Sequence, residues 1–357
     1  MDNGADNKIR VLVVDDSALM SRQIAGILND DDKIVVIGRA KDGREALEMV
    51  AGLKPDVVTM DVEMPRMNGI TALKHIMVRY SVPTVMISAL TTEGARTTFD
   101  ALKYGAIDVI AKPSRREDES LDAQKADIIA KVRRAAAIRT GRSRYLRMGQ
   151  APPASEKSSG GPCDHATRLI GLGAGTGGYY GLLRIIPSLT GDFQDVIIVV
   201  LLVARRYVAP FVSYLEAHSA VPVRSFHGVE TPEKGTCYIC SGQDGVALVK
   251  KSDGSAGFRL GPPKTGPGLP PVNELLFSLS AFGSRAVGVV MTGSGTDGAE
   301  GMTAIRKAGG MGVVQDITNC LDPQMPIATL QKDGVEKILP DFLMAEFFMK
   351  LGTTGEP

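Results

Sequence analysis

The chain has 357 residues, 44% of them hydrophobic and 23% charged, with a formal net charge of +1. That length exceeds one ordinary core and fits two domains plus a linker, and the composition is that of a folded globular protein. The near-zero charge excludes a global pull toward nucleic acid or anionic membrane, and the longest strongly apolar run, VIIVVLLVA from Val196 to Ala204, is about half a membrane span.

The opening, MDNGADNKIR, is polar and predicts no secretory signal, so a cytoplasmic protein is expected. From Arg10 to Pro113 five short apolar strands alternate with helices: IRVLVVDD, KIVVIGRA, PDVVTMDVEMP, VPTVMISAL and AIDVIAKP, separated by amphipathic runs such as GREALEMVAGL and GITALKHIMVRY. That alternation predicts a parallel sheet covered on both faces, with its ligand site at the carboxyl ends of the strands. Asp15 and Asp16 end the first strand, Asp61 the third, Ser88 the fourth and Lys112 the fifth. Three converging carboxylates repel one another unless a divalent cation sits among them, and hard oxygen ligands with room for water suit Mg²⁺. Lys112 and the Ser88 hydroxyl are then placed to meet the oxygens of a phosphoryl group.

Over its whole length this segment resembles the receiver domain of two-component response regulators. The resemblance implies that Asp61 accepts a phosphoryl group from a histidine kinase. It implies metal ligation by Asp16, Asp61 and the Glu63 backbone carbonyl, with Asp15 acting through water, and readout by Ser88 and Lys112. One position departs from the pattern: Val109 stands where the family usually has an aromatic switch residue, three places before the lysine.

The run EDESLDAQKADIIAKVRRAAAIR predicts a last receiver helix. Lys131, Arg133, Arg134, Arg139, Arg142, Arg144 and Arg147 then pass without an intervening acid, and APPASEKSSGGP follows. With one tyrosine and no repeated stacking aromatic, the stretch reads as a solvated flexible linker rather than a nucleic-acid site. The expected boundaries are a receiver at 8–138, a linker at 139–166 and a second domain at 167–352.

The second domain again alternates strands and helices, from TRLIGLGA through DVIIVVLLV and AVGVVMTG to MGVVQD. It predicts a mostly parallel sheet with a short antiparallel section around Val221 to Lys250. The whole chain is therefore α/β: a doubly wound, flavodoxin-like (βα)5 unit followed by a mostly parallel α/β domain. Cys237 and Cys240 form a C-x-x-C within GTCYICSG, but residues three apart on a strand face opposite ways, so buried thiols are expected rather than a metal or redox pair.

The stretch GLGAGTGG, Gly171 to Gly178, has five glycines and one threonine and reads as a strand-to-helix turn. Together with GVVMTGSGTDGAEGM, AIRKAGG, VVQD, NC and MP, it resembles in order and spacing the catalytic domain of the chemotaxis protein-glutamate methylesterases, the CheB family. A receiver ahead of such a domain is also that family's order. The family demethylates receptor glutamate methyl esters, and many members deamidate receptor glutamines. The resemblance implies a serine at position 175, a glutamine-histidine pair at 201 and 202, and an aspartate at 297. The chain has Gly175, Leu201, Leu202 and Asp297, with Val203 and Ser294 at two positions where the family has methionine. Glycine supplies no nucleophile and leucine no base.

The leading expectation is therefore a phosphorylatable response regulator whose output domain has lost ester hydrolysis and acts by binding. Its partner would be a methyl-accepting chemoreceptor, another chemotaxis protein or a second copy of itself. Two alternatives stand beside it. One is an active methylesterase or glutamine deamidase with a displaced nucleophile, for which Thr176 is the adjacent hydroxyl and His227 the nearest of the four histidines. The other is a sensor that binds an anion on the backbone of Gly173, Thr176, Gly177 and Gly178, assisted by Arg205 and Arg206. Without a histidine to orient, Asp297 is expected to cap the helix beginning at GAEGM. Leu201 and Leu202 are expected to close the old cleft over apolar side chains.

Overall fold

A computed structural model describes residues 8–89, 92–113, 121–138, 161, 163–164, 167–226, 229–261 and 270–351. It divides into two compact units, Met1–Arg147 and Met148–Pro357.

In the first unit the strands are β1 (Ile9–Val14), β2 (Ile34–Ala40), β3 (Val57–Asp61), β4 (Thr84–Ser88) and β5 (Asp108–Ala111). The helices between and after them are α1 (Ala18–Asn29), α2 (Gly43–Leu53), α3 (Gly69–Arg79), α4 (Thr92–Lys103) and α5 (Leu121–Ala137). All pairings are parallel, in the order β2-β1-β3-β4-β5, which reverses direction beside β1 and puts a crevice at the ends of β1 and β3. Local chemistry starts three of the helices. The Ser17, Asp42 and Asn68 side chains accept amides of the first turns of α1, α2 and α3, groups that have no partner inside the helix. β3, β4 and β5 are buried throughout, as sheet strands covered on both faces must be.

The second unit begins with β6 (Leu169–Ala174), α6 (Gly178–Ile185), β7 (Val196–Leu201), α7 (Val208–His218), β8 (Val223–Ser225), β9 (Val229–Glu230), β10 (Cys237–Ser241), β11 (Gly245–Lys250) and β12 (Ala256–Gly261). It continues with α8 (Pro271–Ser280), β13 (Ala286–Val290), α9 (Ala299–Lys307), β14 (Met311–Gln315), α10 (Gln324–Leu330), β15 (Lys337–Leu339) and α11 (Asp341–Leu351). Seven strands form a parallel sheet in the order β15-β14-β13-β6-β7-β10-β8, whose direction reverses between β13 and β6.

The antiparallel section is displaced from its expected place. It consists of β9, β12 and β11, spanning residues 229–261, whereas β8 and β10 pair in parallel with the main sheet. β10 is buried at all five positions, so it carries no inside-outside alternation to mark its partner's direction. Cys237 and Cys240 lie in it as free, buried thiols, and burial pushes both well above the ordinary thiol range, which suits packing rather than reactivity. α8 presses directly on β6: a Cβ on Gly173 would stand 2.2 Å from Cγ1 of Val272. None of the described helices is long and apolar enough to cross a membrane.

Candidate functional site

Each unit has its candidate site at the carboxyl ends of its strands. In the first, ligand atoms of Asp15, Asp16 and Asp61 all lie within 4.8 Å of one another. Asp61 ends β3, and Asp15 and Asp16 follow β1, so adjacent parallel strands deliver all three to one crevice. Asp15 and Asp61 are buried and Asp16 is exposed, giving one open side, and the cleft there is also lined by Glu63, Ser88 and Lys112.

Lys112 Nζ donates to Asp61 Oδ2 at 2.7 Å and stands 3.4 Å from Asp15 Oδ2. Its backbone amide donates to the Ser88 carbonyl, which aligns the two readout positions on β4 and the end of β5. Burial raises the carboxyls of both Asp15 and Asp61, and the lysine opposes that rise in each. Burial also works against the charged lysine, but its two carboxylate partners outweigh this and raise it. Asp15 Oδ1 accepts the Ser17 amide, while buried Asp15 Oδ2 has no hydrogen-bond donor, only the ion-pair contact with Lys112. One ammonium against three clustered carboxylates, with a buried oxygen left over, is a donor set that fits a hard divalent cation.

The expected switch position, Val109, lies inside the sheet. It is fully buried within β5, paired with Met86, and its carbonyl accepts the buried Lys131 ammonium from α5 at 2.7 Å.

In the second unit the corresponding place is the reversal between β6 and β13. Gly175 follows β6, and its backbone runs so close to the facing loop that a Cβ would lie 2.9 Å from the Gly293 Cα. That hypothetical Cβ would also be 3.5 Å from Leu202 Cδ1 and 3.6 Å from Met325 Sδ. Leu201 is fully buried at the end of β7, and Leu202 packs against the core while its amide donates to the Ala174 carbonyl. Apolar side chains therefore gather where the resemblance implies glutamine and histidine.

Three expectations for this region need correction. Asp297 caps a different helix: its two oxygens accept the Val272 and Asn273 amides, opening α8, at 3.0 and 2.8 Å. Burial raises its carboxyl, against which those amides act. α9 starts at Gly298 without a side-chain cap, and the Asn273 side chain serves its Gly301 amide, so the two helix starts are cross-capped. The anion loop is smaller than expected, because Gly173 is inside the β6 ladder and the Gly178 amide is taken by the Gly175 carbonyl. Arg205 is not available to assist it, being paired with Asp244 at 2.5 Å.

Of the histidines, His75 is on α3, and His218 ends α7 stacked on Tyr214. His165 and His227 lie outside the described residues.

A polar chain that no local sequence pattern announces joins the loops beside Gly175. The Ser294 hydroxyl donates to Asp322 Oδ2 at 2.6 Å and lies 3.3 Å from the Thr176 hydroxyl. Asp322 Oδ1 accepts the Gln324 amide at 3.2 Å. Thr292 ties the same loops together, donating to the Thr176 carbonyl at 2.8 Å and receiving the Asp322 amide at 2.9 Å. The departure at Ser294 was the available signal, but its partner is 28 residues away and no local pattern joins them.

Residues 170–348 match the CheB methylesterase family, and residues 11–123 match the response regulator receiver domain family. A protein-glutamate methylesterase/protein-glutamine glutaminase of Pyrococcus horikoshii is 38% identical over 340 residues, covering 93% of this chain and 90% of the relative. One of Symbiobacterium thermophilum with the same designation is 34% identical over 358 residues, covering 97% and 98%. Among solved structures, the response regulator domain of Thermotoga maritima CheB is 45% identical, covering 37% of this chain and 98% of that chain, with a TM-score of 0.34.

Proposed function

The chain belongs to the CheB methylesterase family and carries a response regulator receiver domain ahead of that domain, and from this premise we propose a chemotaxis response regulator phosphorylated on Asp61 whose output domain works by binding rather than by ester hydrolysis. The observation that carries it is the contrast between the two strand-end sites: a charged, incompletely neutralised cluster around Asp61, and a Gly175 turn closed against Gly293 and Leu202.

In the receiver, an Asp61 oxygen attacks the phosphorus of a histidine kinase's phosphohistidine; the P–N bond breaks and the imidazole leaves. Lys112 is placed to hold the transferred group's oxygens, and Ser88 lines the same cleft. Asp15, Asp16, Asp61 and the Glu63 carbonyl would hold Mg²⁺, which neutralises phosphoryl charge when bound. In the output domain, position 175 has no side chain, position 202 cannot carry a proton, and Asp297 spends both oxygens on α8 amides. These features support the loss of the family's Ser-His-Asp route, leaving the domain to recognise a chemoreceptor or another chemotaxis protein in the cytoplasm. The test is incubation of the full chain with Mg²⁺ and a small-molecule phosphodonor. One acid-stable, base-labile acyl phosphate at Asp61 per chain is expected, and no uptake at all would sink the reading.

A second reading is favoured by the Ser294–Asp322 contact. A hydroxyl 2.6 Å from a carboxylate, itself oriented by the Gln324 amide, has the form of a nucleophile with its base. A carboxylate is a weak base for an alcohol, so slow acyl transfer is the most this pair supports. On this reading Ser294, not Thr176, is the displaced nucleophile. Methanol release from methylated receptor that Ser294→Ala abolishes would establish it, and release unaffected by Ser294→Ala would remove it.

A further inference from the structure

The phosphoacceptor is followed by a loop, residues 62–68, that carries Glu63 and forms one wall of the cleft before α3 begins at Gly69. Its far end is pinned by close approach. The Gly69 amide donates to the Val62 carbonyl at 3.0 Å, and a Cβ on Gly69 would stand 1.9 Å from the Asp61 carbonyl oxygen. The middle of the loop is held in another way. Arg66 has φ +63°, a left-handed conformation uncommon for a side chain of its kind. Such a conformation persists only where surroundings enforce it.

Two contacts hold it: the Met67 amide donates to the Pro65 carbonyl at 2.7 Å across Arg66, and the Arg66 side chain is tied to Asp42. The Arg66 guanidinium places both Nε, at 2.7 Å, and Nη2 on Asp42 Oδ2. The other oxygen, Oδ1, accepts the Arg44 and Glu45 amides at 2.8 and 2.9 Å and so caps α2. One carboxylate thus joins the start of α2 to the loop after Asp61. The next residue adds a backbone link, since the Gly43 amide donates to the Met67 carbonyl at 3.1 Å. Exposed ion pairs contribute little as a rule; here the Arg66 side chain is 58% exposed, but the carboxylate is only 3% exposed and takes two guanidinium nitrogens on one oxygen. Neither residue lines the carboxylate cleft.

We propose that Asp42 and Arg66 are positioning residues for phosphoryl transfer: their ion pair holds the 62–68 loop, and with it the Glu63 backbone, in the conformation that completes the cation site. The inference rests on the reading of Asp61 as phosphoacceptor and of its cluster as a Mg²⁺ site. It differs from a helix-cap role for Asp42 in a specific way. Asn at position 42 keeps an N-cap acceptor but loses the charge, and Asn at position 66 tolerates the left-handed backbone but loses the guanidinium.

The experiment measures Mg²⁺ affinity by calorimetry on the full-length wild type, Asp42→Asn, Arg66→Asn and the double variant, alongside the Mg²⁺ dependence of phosphorylation. Loss of an outer partner that orients metal ligands typically weakens affinity by about tenfold or more. Each single variant should therefore bind Mg²⁺ about tenfold more weakly, and the double variant no more weakly than either. The phosphorylation rate should return toward wild type at saturating Mg²⁺, a split that a loss of folded protein would not produce. Arg66→Gly, which removes the guanidinium and the backbone strain together, should show the same weakening in a folded chain. Variants within twofold of wild type would overturn the positioning role, leaving the Asp61 reading intact. A wild type that neither binds Mg²⁺ nor takes up phosphoryl groups would overturn the Asp61 reading itself.

Discussion

The two units solve the same geometric problem and fill it with opposite chemistry. Both have a parallel sheet whose strand order reverses beside the unit's first strand, and in both the strand ends that meet there form a mouth. At the first mouth one ammonium is shared between two buried carboxylates: Lys112 Nζ donates to Asp61 Oδ2 at 2.7 Å and makes only a longer, 3.4 Å ion-pair contact with Asp15 Oδ2. At the second, the polar groups satisfy one another, with Thr292, Ser294 and Asp322 bonded across loops and Asp297 consumed as a cap. A mouth with three clustered carboxylates and one ammonium is the one that fits a divalent cation. At the second, apolar Leu202 and Met325 lie beside the Gly175 turn.

That contrast can be broken at either end. The largest effect is expected from Asp61→Asn, which removes the acceptor oxygen without changing side-chain size; phosphoryl uptake should fall more than about 100-fold by the general scale for losing a nucleophile. Labelling at an undiminished level would place the acceptor elsewhere. Next comes Gly175→Ser, which restores the family's residue but sets a Cβ against the Gly293 backbone. Overpacking of this kind costs about 1–3 kcal/mol, visible as a lower denaturation midpoint, and without a base at position 202 no esterase activity should appear. A stable, active Gly175→Ser protein would mean the mouth is open.

A smaller loss, about 1–2 kcal/mol in chemical denaturation, is expected for Asp297→Ala, because two amides of the α8 start lose their acceptor. Asp297→Asn should recover part of it, which a catalytic role for the carboxylate would not predict. The smallest effect concerns pH. The Glu45 amide, working against burial and helped by Arg66 and the Arg44 amide, holds the Asp42 carboxyl below the usual carboxylate range. A depressed carboxyl contributes stability above its unfolded value, about 4, and loses it as pH falls through the folded one. Wild-type stability should thus drop more than that of Asp42→Asn across that acid window. Equal slopes for the two proteins would contradict the assignment.

The first mouth was legible in the sequence because its parts sit at the ends of successive strands. Once the alternation is read, Asp15, Asp16, Asp61, Ser88 and Lys112 fall at equivalent places without any knowledge of tertiary contacts. The second mouth resisted because its decisive contacts join distant segments. Asp297 lies next to α9 in sequence yet serves α8, whose first turn is 25 residues upstream. The Ser294–Asp322 and Asp42–Arg66 pairs likewise span 28 and 24 residues, with nothing local to announce them. The expected antiparallel span, 221–250, contains β9 and β11 but also β8 and β10, which pair in parallel, and their burial hides that direction from the sequence.

The most direct measurement is methanol release from methylated chemoreceptor by the full chain, after phosphorylation at Asp61 has been verified on the same sample, with an active methylesterase in parallel. The account predicts phosphoryl uptake and no methanol above background, phosphorylated or not. Methanol release stimulated by phosphorylation would contradict it and place this output domain among the working esterases.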